Sequence, residues 1–353
     1  YESIAANTFN CSGAKVFGEY FITLTNRDKR IRSKAIADAQ YNAFIKRFKR
    51  WLSSKRTKAG KPFLTMTFQD TSGEMNANLW DVSPEQLENF KPSTVVLVKG
   101  KREEYNGQPQ FRIDRIRLAK ESEPSNPELY VKRAPLNREI MIEKLNEIIF
   151  EITNPSMNRI VRYLLNRYNK EFFHSPAAKS NHHAFNGGLA YHTVSMLEIA
   201  KAVVGYYPNI NRSLLYAGLI LHDLGKVIEL TGPTATEYTL EGQLIGHIVL
   251  VDQEITDACE ALKIASDTED VLLLRHVILA HHGELEWGSP VRPQIKEAEI
   301  IHYLDQLDAK INMIEDELSI TEPGEFTSKV WAMENRRFYK PSIFDKHADD
   351  EQE

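Results

Sequence analysis

The sequence predicts a two-domain chain, an N-terminal all-β barrel carrying a basic helical insertion and a C-terminal all-α domain. Three observations predict it. Residues 11–118 hold short alternating segments rich in β-branched and aromatic residues. Residues 119–136 then change character, with three prolines in ESEPSNPELYVKRAP and no periodicity, and read as a linker. From 137 to 320 apolar residues recur at helical spacing, and a mixed tail follows over 321–353. A length of 353 residues suits about two domains.

The barrel elements follow in order. Lys15–Thr25 has strand composition. Pro62–Gln69 places Phe63, Thr65, Thr67 and Gln69 on one face and Leu64, Met66 and Phe68 on the other. A turn at Asp70–Gly73 leads into Glu74–Trp80, where Met75, Ala77 and Leu79 share a side. Ser83 followed by Pro84 is an N-cap with proline at the first helical position, so a short helix follows. Thr94–Arg102 and Gln110–Leu118 flank Tyr105-Asn106-Gly107, a hairpin signal. Five strands with a helix between the third and fourth are the elements of an OB-fold.

In the second domain Ile140, Ile142, Leu145, Ile148 and Ile149 keep helical spacing, as do Ile160, Val161, Leu164 and Leu165. Later apolar runs are Leu214–Leu224, Leu244–Ala258, Val271–Ala280 and Ala298–Ile314.

Composition excludes several classes. With 42% hydrophobic and 26% charged residues the chain is globular rather than disordered. No apolar run reaches the roughly 18–20 residues of a membrane helix, and the N-terminus lacks a signal-peptide core. Cys11 and Cys259 cannot form a disulfide framework or a zinc-cysteine site, so a reducing compartment, the cytoplasm, is expected; with no membrane helix, no membrane partner is expected. The net charge of −5 conceals an asymmetry. Residues 26–61 hold 13 Lys and Arg against Asp28 and Asp38, a local +11 on a body of −16. Block charge of this kind suits a polyanion or a membrane surface.

Within that segment Tyr41, Phe44, Ile45, Phe48, Trp51 and Leu52 fall on one stripe of a helix over about 34–53. Lys46, Arg47, Lys49 and Arg50 lie off the stripe. A helix packed on the barrel and a nucleic-acid contact explain it equally well, and membrane or partner-helix binding is a further reading. The barrel aromatics Phe63, Phe68, Trp80 and Tyr105 are candidate base-stacking residues, with Phe111 beside them, although alternation turns some of them inward.

Of 11 histidines, ten lie between residues 170 and 320, several on apolar helices where an unpaired ionisable group is costly. His192, the adjacent His222-Asp223, His247, the pair His281-His282, and Asp305 occur in that order on successive helical segments. Neighbouring helical positions point about 100° apart, so His222 and Asp223 can serve one site at a helix end. Imidazoles with carboxylates suit divalent transition metals, and two ions can activate water for phosphoryl displacement.

That ordered motif resembles the HD-domain metal-dependent phosphohydrolases over about 137–318. The resemblance implies one ion held by His192, His222, Asp223 and Asp305. A second would be held by His247, His281 and His282, with Asp223 bridging and Lys226 beside the substrate phosphate. With an OB-fold ahead of it, and with GKPFLTMTFQDTSGEMNANLWD and AAKSNHHAFNGGLAYHT, the chain resembles the YhaM-type 3′→5′ exoribonucleases. This implies two divalent ions, usually Mn²⁺ with Fe, Co²⁺ or Mg²⁺ as alternatives, single-stranded RNA or DNA as substrate, 5′-mononucleotide products and a homo-oligomer. Asp223, Lys226 and His183 are the expected catalytic residues, His183 with substrate-contact and supporting roles both open. Two departures stand out: the +11 insertion in the first barrel loop, and Asn181 where a third histidine is expected. A hydrolase of a small nucleotide, such as a cyclic dinucleotide, alarmone or dNTP, is the alternative enzyme. An inactive nucleic-acid-binding protein is the alternative from another class.

Overall fold

The computed structural model describes residues 22–25, 51–56, 62–70, 73–91, 94–105, 108–179, 183–233 and 236–342. Two compact units are present, their principal break falling between Asn126 and Pro127.

Among the described residues the first unit forms a sheet of six strands: β1 (Ile22–Thr25), β2 (Trp51–Arg56), β3 (Pro62–Asp70), β4 (Gly73–Trp80), β5 (Val95–Tyr105) and β6 (Gln108–Leu118). The order is β1-β5-β6-β4-β3-β2, and an added β1–β3 pairing closes it into a barrel. Alternation on β3 turns Leu64, Met66 and Phe68 into the core, where Ala77, Val96, Val98 and Phe111 meet them. Helix α1 (Pro84–Asn89) starts at a capping box in which Ser83 and Gln86 exchange side-chain-to-backbone bonds.

Two expectations are corrected in this unit. Five strands become six, because residues 51–56 extend rather than end a helix. Thr23, Leu24 and Thr25 pair with Gln69, Phe68 and Thr67 of β3, while Trp51, Lys55 and Arg56 pair with Thr65, Phe63 and Pro62. Both strands run antiparallel to β3 on successive stretches of it, so β1 and β2 act as two halves of one strand. The basic insertion therefore interrupts a strand instead of filling the loop up to Pro62. Its residues 26–50, including Lys46, Arg47, Lys49 and Arg50, lie outside the described residues.

After β6 the chain is tied down by Glu123, whose carboxylate accepts from both Arg117 amino groups at 2.7 Å and from the Lys120 amide. The hydrogen bond from Arg117 holds the Glu123 carboxyl down at about 2.

The second unit is helical: α2 (Arg138–Glu151), α3 (Pro155–Arg167), α4 (Asn169–Phe172), α5 (Gly188–Tyr206), α6 (Arg212–Leu221), α7 (Lys226–Glu229), α8 (Leu240–Leu244), α9 (His247–Leu262), α10 (Glu269–Ala280) and α11 (Lys296–Ser319). Asn137, Asn154 and Asn211 cap α2, α3 and α6 by accepting from the amide three residues on. Every residue of α6 from Ser213 to Leu221 is buried, which makes it the central helix. The apolar run at Leu244–Ala258 is not one helix. Gly246, at φ +81, separates α8 from α9 and leaves Leu244 and Ile245 exposed. Residues 132–134, expected in the linker, run beside Asn186 through two backbone hydrogen bonds. No helix among the described residues is long and apolar enough to cross a membrane.

Candidate metal centre

Four helices deliver the histidines. His192 lies in the second turn of α5, His222 caps the C-terminus of α6 with Asp223 after it, His247 opens α9, and His281 caps α10 with His282 after it. Asp305 comes from the middle of α11. All seven expected ligands come together.

They form two groups. His192, His222 and Asp305 offer ligand atoms within 4.8 Å of one another, and so do His247, His281 and His282. Asp223 stands between the groups, one carboxylate oxygen to each. Its Oδ2 lies 3.4 Å from His222 Nε2 and 3.7 Å from His192 Nε2. Its Oδ1 lies 3.5 Å from His247 Nε2 and 3.9 Å from His281 Nε2.

Each imidazole is oriented by a bond at its other nitrogen. His222 Nδ1–H donates to the Leu219 carbonyl at 2.8 Å, His281 to Ile278 at 2.6 Å and His282 to Trp287 at 2.7 Å. His247 Nδ1–H donates to Glu229 Oε1 at 3.1 Å, and His192 Nδ1–H to Asp308 Oδ2 at 2.6 Å. Acceptors at every Nδ1 fix the tautomer and turn every Nε2 inward, the arrangement typical of histidine ligands. Glu229 and Asp308, which orient two of these rings, were not singled out in the sequence. Asp308 stands one turn after Asp305 on the same helix face, a spacing that could have revealed it.

The residues fit a divalent cation. The Nε2 atoms of His247 and His281 are buried and have no hydrogen-bond partner, an expense that a cation removes. Burial lowers the pKa of His281 and His282, keeping them neutral as ligands must be. Burial would raise that of Asp223, but Lys226 and His222 outweigh it and keep the carboxylate ionised. Burial also works against charge on His192, yet hydrogen bonds to Asp305 and Asp308 prevail and push its pKa up to about 10. Lys226 Nζ donates to Asp223 Oδ2 at 2.6 Å, and the two carboxylates at Asp223 and Asp305 hold it charged despite its burial.

Of the two roles open for His183, burial removes direct substrate contact. It is buried, its Nε2 lies 2.6 Å from Asp308 Oδ2, and it has no surface on which to meet a substrate. His183, His192 and Asp308 also cluster closely, but Asp308 Oδ2 stands at hydrogen-bond distance from both rings, so protons occupy that space.

The barrel candidates divide. Phe68 is buried edge-on against Phe111 at 6.4 Å and cannot stack on a base, because its β3 position faces inward. Phe63 and Trp80 face the other way and stack on each other at 4.7 Å, with Trp80 52% exposed. The side chain of Tyr105, like Asn181 and His182, lies outside the described residues.

Comparison with known proteins agrees with this layout. Residues 189–310 match the HD domain family, and residues 47–119 match the OB-fold nucleic acid binding domain family. The chain is 54% identical over 282 residues to a protein of Geobacillus sp. (strain WCH70) named 3'-5' exoribonuclease YhaM. That match covers 80% of this chain and 86% of the relative. HD-domain nucleases use divalent metals, in keeping with the histidine and aspartate groups described above.

Proposed function

From the premise that the chain belongs to the 3′→5′ exoribonuclease YhaM family, we propose that it shortens single-stranded RNA from the 3′ end by two-cation phosphodiester hydrolysis. The observation that carries this is the carboxylate of Asp223, whose two oxygens face separate histidine groups. His192, His222, Asp223 and Asp305 would hold one ion. His247, His281 and His282, together with Asp223, would hold the other. Bound cations would supply activation of a water and neutralisation of phosphate charge.

The remaining work belongs to side chains. Lys226 keeps its charge at the edge of the site, where its ammonium meets a non-bridging oxygen of the terminal phosphate. Asp223 fixes that ammonium so that little reorganisation accompanies the reaction. Water adds to the terminal phosphorus, and the bond to the 3′-oxygen of the preceding nucleotide breaks. The preceding nucleotide keeps a protonated 3′-hydroxyl, and a 5′-mononucleotide departs.

In the barrel, the exposed indole of Trp80 backed by Phe63 is a sequence-tolerant platform for a base. Stacking and phosphate contacts do not read base identity, so little sequence preference is expected, and single-stranded DNA is a candidate second substrate. We assign manganese as the native ion, since a thiolate-free set of imidazoles and carboxylates accepts it, with Fe, Co²⁺ and Mg²⁺ as competitors. A homo-oligomer in the cytoplasm completes the reading.

The test supplies Mn²⁺ and 5′-labelled single-stranded RNA. A ladder shortening from the 3′ end is expected, and Asp223→Ala should abolish it while RNA binding survives. Intact RNA alongside rapid cleavage of a cyclic dinucleotide would reject the proposal.

A further inference from the structure

His183 stands nine residues before His192 in sequence, in the segment leading into α5, and Asp308 stands on α11. Neither belongs to the ordered ligand motif. Asp308 nonetheless joins one expected ligand, His192, to two residues outside the motif. Its Oδ2 accepts from His192 Nδ1 and from His183 Nε2, each at 2.6 Å. Its Oδ1 accepts a short bond from Ser195 Oγ. Three donors on one buried carboxylate leave it little freedom to rotate.

His183 is held as firmly. Its amide donates to Asn312 Oδ1 at 3.0 Å, one turn beyond Asp308 on α11. Its carbonyl accepts from the Ala177 and Phe185 amides. Its backbone takes the left-handed φ of +48 that a non-glycine residue adopts only when its surroundings impose it. The carbonyl also packs so tightly on Gly188 that a Cβ there would lie 1.9 Å from it. His183, α5 and α11 are thereby locked together behind His192.

We infer that Asp308 is the positioning residue of the His192-side ion, and that His183 and Ser195 act through it by fixing its carboxylate. The inference rests on the two-cation reading given above. Its physical content is selective. Of the seven expected ligands Asp308 bonds to the ring of His192, and it holds Nδ1 protonated so that Nε2 is free to meet a cation. The other histidine group takes its orientation from Glu229 and from backbone carbonyls, none of which touches Asp308. Weakening Asp308 should therefore loosen one ion and spare the other.

The experiment is Mn²⁺ binding by calorimetry and electron paramagnetic resonance on the full chain, comparing wild type with Asp308→Asn. The isosteric amide keeps the volume and removes the charge. The expected result is two ions in wild type, and in the variant an affinity loss of about 10- to 100-fold for one ion only. The spin coupling between the two ions should fade at Mn²⁺ concentrations that still fill the unaffected site. Nitrogen-15 spectra of imidazole should show the His192 signal moving while those of His281 and His282 stay.

Should Asp308→Asn fail to fold, His183→Gln and Ser195→Ala carry the same test. Each removes one hydrogen bond from the carboxylate, and a site-selective loss of about 2- to 10-fold is expected. Unchanged affinity for both ions overturns the inference, and so does equal weakening of both with a fall in melting temperature. Failure of wild type to bind two ions overturns the two-cation reading itself, a result separate from the others.

Discussion

Gly225 and His247 touch so closely that a Cβ on the glycine would lie 2.2 Å from the carbonyl oxygen of His247. The turn that follows Asp223 is thus packed directly on the first residue of α9. One ligand segment sets the position of another, through backbone rather than side chain.

Gly225→Ala should therefore act as a metal-site variant. The backbone oxygen cannot yield as a flexible side chain can, so α9 must shift, at about 1–3 kcal/mol. We expect a folded protein that binds one fewer Mn²⁺ at moderate concentration and turns over at least about 10-fold more slowly. Crystallographic or calorimetric metal counts equal to wild type would count against it.

Lys226→Met should separate binding from chemistry. The ammonium sits on an oxygen of Asp223 and would oppose a divalent ion bound beside it. Removing it should tighten Mn²⁺ binding several-fold while lowering turnover by about 100-fold. Metal titrations and single-turnover kinetics on the same preparation read both quantities. A fall in both would assign Lys226 to structure.

The pH dependence has a definite sign. Without metal, His192 keeps its proton up to about pH 10, against an ordinary value of 6.5. The stability that its charged form contributes is complete below about pH 6.5 and is lost as pH rises towards 10. A cation at Nε2 displaces that proton, so binding on the His192 side should strengthen with pH across the same window. Calorimetry at neutral pH in buffers of different ionisation heat should show about one proton released on filling that side. Heats independent of buffer would contradict this.

Trp80→Ala tests the barrel. Loss of the exposed indole should weaken single-stranded RNA binding by about 1–3 kcal/mol, raising KM with kcat nearly unchanged. Trp80→Phe should restore most of the loss, and Phe68→Leu, a core change, should leave RNA affinity alone. An unaltered KM for Trp80→Ala would place the RNA path elsewhere.

Much of the molecule was legible in the sequence because its signals are local. Alternation on β3 separates Phe63 from Phe68, although alternation alone does not say which face is wet. Ser83 announced a helix start, since a cap acts on an amide three residues away. The order of the seven histidines and aspartates pointed to this site through its resemblance to the HD-domain family, whose motif is local and ordered along the chain.

Tertiary structure decided what lies across long stretches of chain. Asp308 reaches His192 over 116 residues, and Glu229 reaches His247 over 18, so no periodicity marks either pair. The pairing of β1 and β2 with one strand placed the basic insertion inside a strand, which only hydrogen-bond partners can reveal. The sequence by itself determined which side chains could offer ligand atoms to cations. The packing of α5, α6, α9, α10 and α11 decided which nitrogen of each ring and which oxygen of Asp223 face them. Orientation of a side chain is fixed by neighbours brought together only when the chain folds.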